Sequence, residues 1–160
     1  MRLTLLRHGI AHDHAPTDFD RALTPAGVAQ LERVLDGLCA SGWVPGAILH
    51  SPLVRTTQTA AAVARRFPRV PIVATAALAG DDLAAILHAA SPWVEPVLVG
   101  HQPTLGELLA ELLGASHGTT ALPRAGVAMV EVDRLPPRRR AQLLAFLPPP
   151  ALPPEDTGPG

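Results

Sequence analysis

Residues 46–67, GAILHSPLVRTTQTAAAVARRF, decide the architecture. The first five are small or apolar up to His50 and read as a short buried strand. Ser51-Pro52 breaks the strand and starts a helix that runs through the alanines to about Phe67. The same strand-then-helix unit recurs on both sides. Upstream, residues 2–8 (RLTLLRH) read as a strand, residues 9–23 as a polar loop with three Asp and two His, and Thr24-Pro25 as a helix start. Val28, Leu31, Leu35 and Leu38 follow at helical spacing until Gly42. Downstream, residues 71–74 form a short strand and Asp81-Asp82 opens the helix LAAILHAA. Residues 96–100 (PVLVG) are a fully apolar strand, with a helix from about Thr104 to Leu113. Residues 126–132 and 142–147 supply two late strands. This alternation predicts an α/β fold, a three-layer α/β/α sandwich with a mainly parallel sheet and an antiparallel strand near the C-terminus. One domain is expected over residues 1–147, followed by a Pro/Gly-rich tail over 148–160.

The chain has 160 residues, 48% hydrophobic and 17% charged, which suits a globular fold and excludes a wholly disordered one. The net charge of −1 gives no general attraction to nucleic acid or an anionic membrane, and neither is expected as a partner. All 13 basic residues are Arg, which removes Schiff-base and lysine-nucleophile chemistry. Cys39 stands alone, so neither a disulfide framework nor a cysteine zinc site is expected. No metal or other cofactor is expected. The start of the chain lacks a signal-peptide layout and no long apolar run follows, so a cytoplasmic location is expected. The Ala-, Arg- and Pro-rich, Lys-free composition points to a GC-rich bacterial genome.

In open α/β sheets the active site lies beyond the carboxyl ends of the strands. Three motifs fall at such ends: Arg7-His8-Gly9, Ser51-Pro52-Leu53-Val54-Arg55-Thr56 and Gly100-His101-Gln102-Pro103. Parallel connections bring Arg7, His8, Arg55 and His101 to one sheet edge. Arg offers a planar fork of donors that matches phosphate oxygens. A neutral imidazole can attack phosphorus. Helices starting after Ser51 and Gln102 could add free backbone amides. The set reads as a phosphoryl-transfer pocket. Taken singly, each residue also has a structural reading as a core histidine or a solvated arginine.

LLRHG, SPLVRTTQTA and VGHQPTL resemble the three signatures of the histidine phosphatase superfamily, the phosphoglycerate-mutase-like proteins. Asp18, Arg21, Leu23, Thr24 and Gly27, in the pattern D-x-x-R-x-L-T-x-x-G, narrow the resemblance to short bacterial SixA-type phosphohistidine phosphatases, with Ala22 where those often carry Pro. The resemblance implies His8 as nucleophile, Arg7 and Arg55 as phosphoryl ligands, and His101 as a donor to the same oxygens. Arg21 is a further candidate for phosphate contact, and Ser51 for capping its helix and shaping the pocket. It implies a metal-independent phosphohydrolase working through a phosphohistidine. The expected substrate is a phosphorylated protein bearing phosphohistidine, with inorganic phosphate as product. The alternatives are a phosphatase of small phosphomonoesters and a catalytically weak phosphate-binding module.

Many members of this superfamily resemble each other in having an acidic proton donor after the second motif, on an inserted segment. Here that stretch holds only Asp81 and Asp82, both read as a helix start. Asp18 or Asp20, in the 9–23 loop, is the expected donor if one exists. His12 and His14 form an H-x-H without partnering ligands and read as loop residues. His50 is a candidate for the pocket rim. His88 and His117 read as ordinary helix and loop residues, Arg138-Arg139-Arg140 as a solvated turn, and Trp43 and Trp93 as seals at core edges.

Overall fold

The computed structural model describes residues 1–151. It contains a six-stranded sheet flanked by four α-helices: β1 (Arg2–Arg7), α1 (Pro25–Ala40), β2 (Ala47–His50), α2 (Val54–Arg66), β3 (Ile72–Ala74), α3 (Leu83–Ala90), β4 (Pro96–Gly100), α4 (Thr104–Leu113), β5 (Val127–Glu131) and β6 (Gln142–Leu147). The strand order is β3-β2-β4-β1-β5-β6. The first four of these are parallel, while β5 runs antiparallel to both β1 and β6. This is the expected α/β arrangement with antiparallel pairing near the C-terminus.

The apolar strands are two-faced, and period-two alternation divides the core into two layers. Leu3, Leu5, Leu49, Leu98 and Val130 pack with Ile86 of α3 and Leu105, Leu108 and Leu112 of α4. Leu6, Ile48, Val97, Val99 and Val127 pack with Leu31 and Leu35 of α1 and Val63 of α2 on the other side. Each fully buried leucine contributes about 1.5–3 kcal/mol of transfer free energy. Trp43 is buried in the second layer, where its Nε1–H donates to Thr4 Oγ1 at 3.1 Å. Trp93 packs, partly buried, against the first layer.

Local signals explain most boundaries. Thr24 caps α1 by accepting from Gly27 N, and Pro25 occupies its first turn. Asp82 caps α3 by accepting from Ala85 N at 3.0 Å. Gly114, at φ 68, closes α4 in the left-handed region. One boundary differs from expectation. Helix α2 begins at Val54, not at Ser51-Pro52, and its N-cap Leu53 makes no side-chain cap bond. The chain turns through residues 51–53 first, which frees Ser51 for another use. A single 3-10 turn over Ala76–Ala79, not anticipated, joins β3 to α3.

The loop after β1 is closed onto α1. Ala11 bridges Leu23, His12 N donates to Ala22 O, and Thr24 N donates to Ile10 O. Gly27 is required at this junction, since a Cβ there would sit 2.1 Å from the Ile10 carbonyl oxygen. The start of the C-terminal tail lies along α1, where Gln30 Nε2 and Arg33 Nη1 donate to the carbonyls of Pro150 and Ala151. Residues 152–160 of the expected tail lie outside the described residues. Among the described residues no helix is long and apolar enough to cross a membrane.

Candidate active site

Strands β2, β4 and β1 are neighbours, so their carboxyl ends share one edge. Register aligns Arg7 with Gly100 and His50 with Val99. The three motifs leave the sheet side by side. His8 follows Arg7 and is fixed by its own backbone, with His8 N donating to Gly100 O and His8 O accepting from Ala125 N. The His8 and His101 rings lie with centroids 5.3 Å apart, tilted by 56°. The structure therefore brings together Arg7, His8, Arg55 and His101 from segments far apart in sequence.

His8 is buried, and its Nδ1 lies 2.6 Å from the Gly9 carbonyl oxygen. A carbonyl only accepts, so Nδ1 carries the proton and Nε2 keeps its lone pair. Burial pushes the His8 pKa down to about 3, helped by the nearby His101, Arg55 and Arg7, while the Gly9 bond opposes the shift. His101 falls to about 4, first through burial and then through Arg55, with Asp18 opposing. Both rings are neutral near neutral pH. Arg7 donates from Nη1 to Leu122 O at 2.8 Å, and burial and Arg124 lower its pKa. Arg55 donates from Nη1 to Asp18 O at 2.8 Å and from Nη2 to Asp18 Oδ2 at 3.1 Å.

Among the described residues, Arg7 Nε, Arg55 Nε and His101 Nδ1 are buried with no hydrogen-bond partner. Buried polar atoms are rarely left unpaired, and three around one nucleophile suit an anionic ligand. The helix termini contribute less than expected. Val54 N is taken by Phe19 O, Leu105 N by His101 O, and Gly106 N by Gln102 Oε1. Those three amides are satisfied within the protein, which leaves the unpaired atoms of Arg7, Arg55 and His101 as side-chain donors for an anion.

The remaining candidates separate clearly. Arg21 donates from Nε to Asp18 Oδ1 at 2.8 Å and from Nη1 to His12 O at 3.2 Å. Both of these partners belong to its own loop. Hydrogen bonds from Arg21 and Arg55 hold the Asp18 carboxyl below its usual range, which leaves it ionised. Asp20 is exposed and accepts from the Thr17 hydroxyl at 2.6 Å. A cavity of about 530 Å³ opens beside His101 and Arg55, lined also by Asp18, Leu53, Gly80 and Asp81. Asp81 and Asp82, alike in sequence, thus divide: Asp82 caps α3 and Asp81 lines the cavity. His50 is buried, with Nδ1 2.8 Å from Ser51 O, a structural bond at the strand end. No group of three or more His, Cys, Asp or Glu that could hold a metal occurs among the described residues, His12 and His14 included.

Sequence reasoning missed Leu122 O, Arg124 and the Ser51–His101 contact. The first two come from the segment before β5, which carries no motif and meets the site only through the antiparallel return of that strand.

A family model for the histidine phosphatase superfamily (branch 1) matches residues 3–82, half of the chain. The chain belongs to the histidine phosphatase superfamily. Members of this superfamily are phosphatases, and this histidine phosphatase acts on a phosphorylated substrate. It is 40% identical over 116 residues to an uncharacterised protein of Picosynechococcus, covering 67% of this chain and 70% of the relative. A crystal structure assigned as a phosphohistidine phosphatase SixA from Agrobacterium tumefaciens superposes with a TM-score of 0.79 at 30% identity, covering 92% of this histidine phosphatase and 97% of the other chain. One assigned likewise from Nakamurella multipartitia gives 0.75 at 25% identity, covering 94% and 96%.

Proposed function

We propose that this histidine phosphatase hydrolyses protein phosphohistidine through a covalent intermediate on His8. The observation that carries the reading is the lone pair on His8 Nε2, fixed by the Gly9 carbonyl, with Arg7, Arg55 and His101 nearby and each keeping an unpaired buried donor. In the first step Nε2 attacks phosphorus, a new N–P bond forms and the substrate N–P bond breaks. The departing imidazole takes up a proton from solvent. In the second step water attacks, the Nε2–P bond breaks, inorganic phosphate leaves and His8 regains its lone pair. The arginines and His101 neutralise the phosphoryl oxygens throughout, a role for which a metal ion is not required.

Two features favour phosphohistidine over an alkyl ester. The cavity beside His101 and Arg55, about 530 Å³, has room for a side chain presented on another protein. Asp18, one of the two expected proton donors, is held as a carboxylate and has no proton to give near neutral pH. An imidazole leaving group is easily protonated and depends little on an enzyme acid, whereas an alkoxide depends on one strongly. Asp20 is engaged by Thr17, so neither expected donor is well placed. A second reading, hydrolysis of small phosphomonoesters, is favoured by Asp81, a carboxyl group on the cavity wall that forms no ion pair among the described residues.

Single-turnover hydrolysis decides between them. Wild type and His8→Ala are compared on a phosphohistidine-bearing protein domain and on p-nitrophenyl phosphate. Faster, His8-dependent loss of protein phosphohistidine is expected. Turnover of the ester alone selects the second reading. Phosphate binding with no turnover of either makes the protein an anion-recognition module.

A further inference from the structure

Ser51 lies at the carboxyl end of β2, is fully buried, and does not cap α2. Its Oγ sits 2.8 Å from His101 Nε2 and accepts from Leu53 N at 3.3 Å. Among the described residues Oγ has these two hydrogen-bond partners, one side chain and one backbone amide, which constrains where its proton goes. If His101 Nε2 carried hydrogen, it would donate to Oγ, and the serine hydroxyl would be a buried donor facing two other donors. If Oγ–H donates to Nε2 instead, all three groups are satisfied. The ring proton then resides on Nδ1.

We propose that Ser51 is a positioning residue that sets the tautomer of His101, so that His101 presents Nδ1–H to the phosphoryl group. The inference rests on the phosphatase reading and deepens it. His8 and His101 then share one tautomer but use opposite nitrogens. In His8 the Nδ1 proton is spent on Gly9 O and Nε2 offers a lone pair. In His101 the lone pair at Nε2 is spent on Ser51 and Nδ1 offers a proton, from an atom that otherwise has no partner. Two neutral imidazoles side by side thereby become a nucleophile and a hydrogen-bond donor. The reverse tautomer of His101 would aim a lone pair at the phosphoryl oxygens and repel them. Burial keeps His101 neutral near neutral pH, so tautomer, not charge, decides what the ring can do.

The test reads the tautomer directly. In the nitrogen-15-labelled full chain near neutral pH, long-range proton–nitrogen correlations report which ring nitrogen is protonated, and His101→Gln assigns the signals. The expected result is Nδ1–H with an unprotonated Nε2. Protonation at Nε2 in the wild type overturns the proposal, whether or not any variant folds. In Ser51→Ala, His101 is expected to gain the Nε2–H form, and kcat to fall by about ten- to a hundredfold, as for other groups that orient a functional histidine. Inhibition by inorganic phosphate weakens in parallel. Ser51→Thr keeps the hydroxyl and restores the tautomer. An unchanged tautomer in Ser51→Ala also overturns the proposal. Failure of the phosphatase reading looks different: neither substrate turns over in the wild type, while the tautomer is still read from the unreacted protein.

Discussion

Asp18 grips Arg55 twice, through its carbonyl at 2.8 Å and its carboxylate at 3.1 Å. The Arg55 side chain is 7% exposed and that of Asp18 67%, so the pair joins a buried fork to a solvated loop. Such a pair adds little to stability. Its effect falls on the neighbouring anion. The Asp18 charge opposes a phosphate on the same guanidinium, while its backbone carbonyl holds Arg55 in place.

Asp18→Asn removes the charge and keeps the backbone contact. Inorganic phosphate should inhibit more strongly, by about three- to tenfold at low salt, with the gain shrinking as ionic strength rises. Product inhibition measured across salt concentrations checks this. Weaker inhibition would mean that the carboxylate matters more for orienting Arg55 than for repelling the anion.

The histidine pKa values set a pH dependence of folding. His8 and His101 are lowered from 6.5 to about 3 and about 4, so the unfolded chain binds protons there that the native protein refuses. Stability is then fully present above about pH 6.5 and falls as pH drops toward those native values. Urea midpoints between pH 4 and pH 7 should show this slope. It should flatten in His8→Ala. A slope unchanged in that variant would place its source elsewhere.

Asp81 and Asp82 should respond oppositely. Asp82→Ala loses the α3 cap and costs about 1 kcal/mol of stability, seen as a lower Tm with turnover kept. Asp81→Asn should leave phosphohistidine turnover unchanged and slow an alkyl phosphate ester by about 10²-fold. Equal effects on both substrates would show that Asp81 acts on the pocket and not on the leaving group.

Gly27→Ala forces a methyl group against the Ile10 carbonyl. The loop after β1 must then part from α1. Thermal melting should show a loss of about 1–3 kcal/mol. Weaker phosphate inhibition should accompany it, because the same loop carries Asp18 and Arg21. An unaltered Tm would mean that the loop adjusts freely.

Much of this was legible in the sequence because it is local. Apolar runs marked β1, β2 and β4, and Thr24-Pro25 and Asp81-Asp82 marked helix starts through chemistry that lies within a few residues. Ser-Pro is a common helix opening and points to an α2 start at Ser51, whereas the helix begins at Val54 and Ser51 turns back to His101 fifty positions away. Asp81 and Asp82 could not be told apart, since adjacent identical residues differ only in where the backbone points them.

The order of strands and helices, and the placing of Arg7, His8, Arg55 and His101 at strand ends, could be read from local patterns alone. Hydrophobic period and turn chemistry are properties of neighbouring residues. Which nitrogen of His8 is free, which donors lack partners, that Asp18 is held ionised and that Ser51 meets His101 became visible only in the folded chain. Each of those depends on burial and on partners supplied by distant segments, and a hydrogen bond exists only where the fold has brought donor and acceptor together.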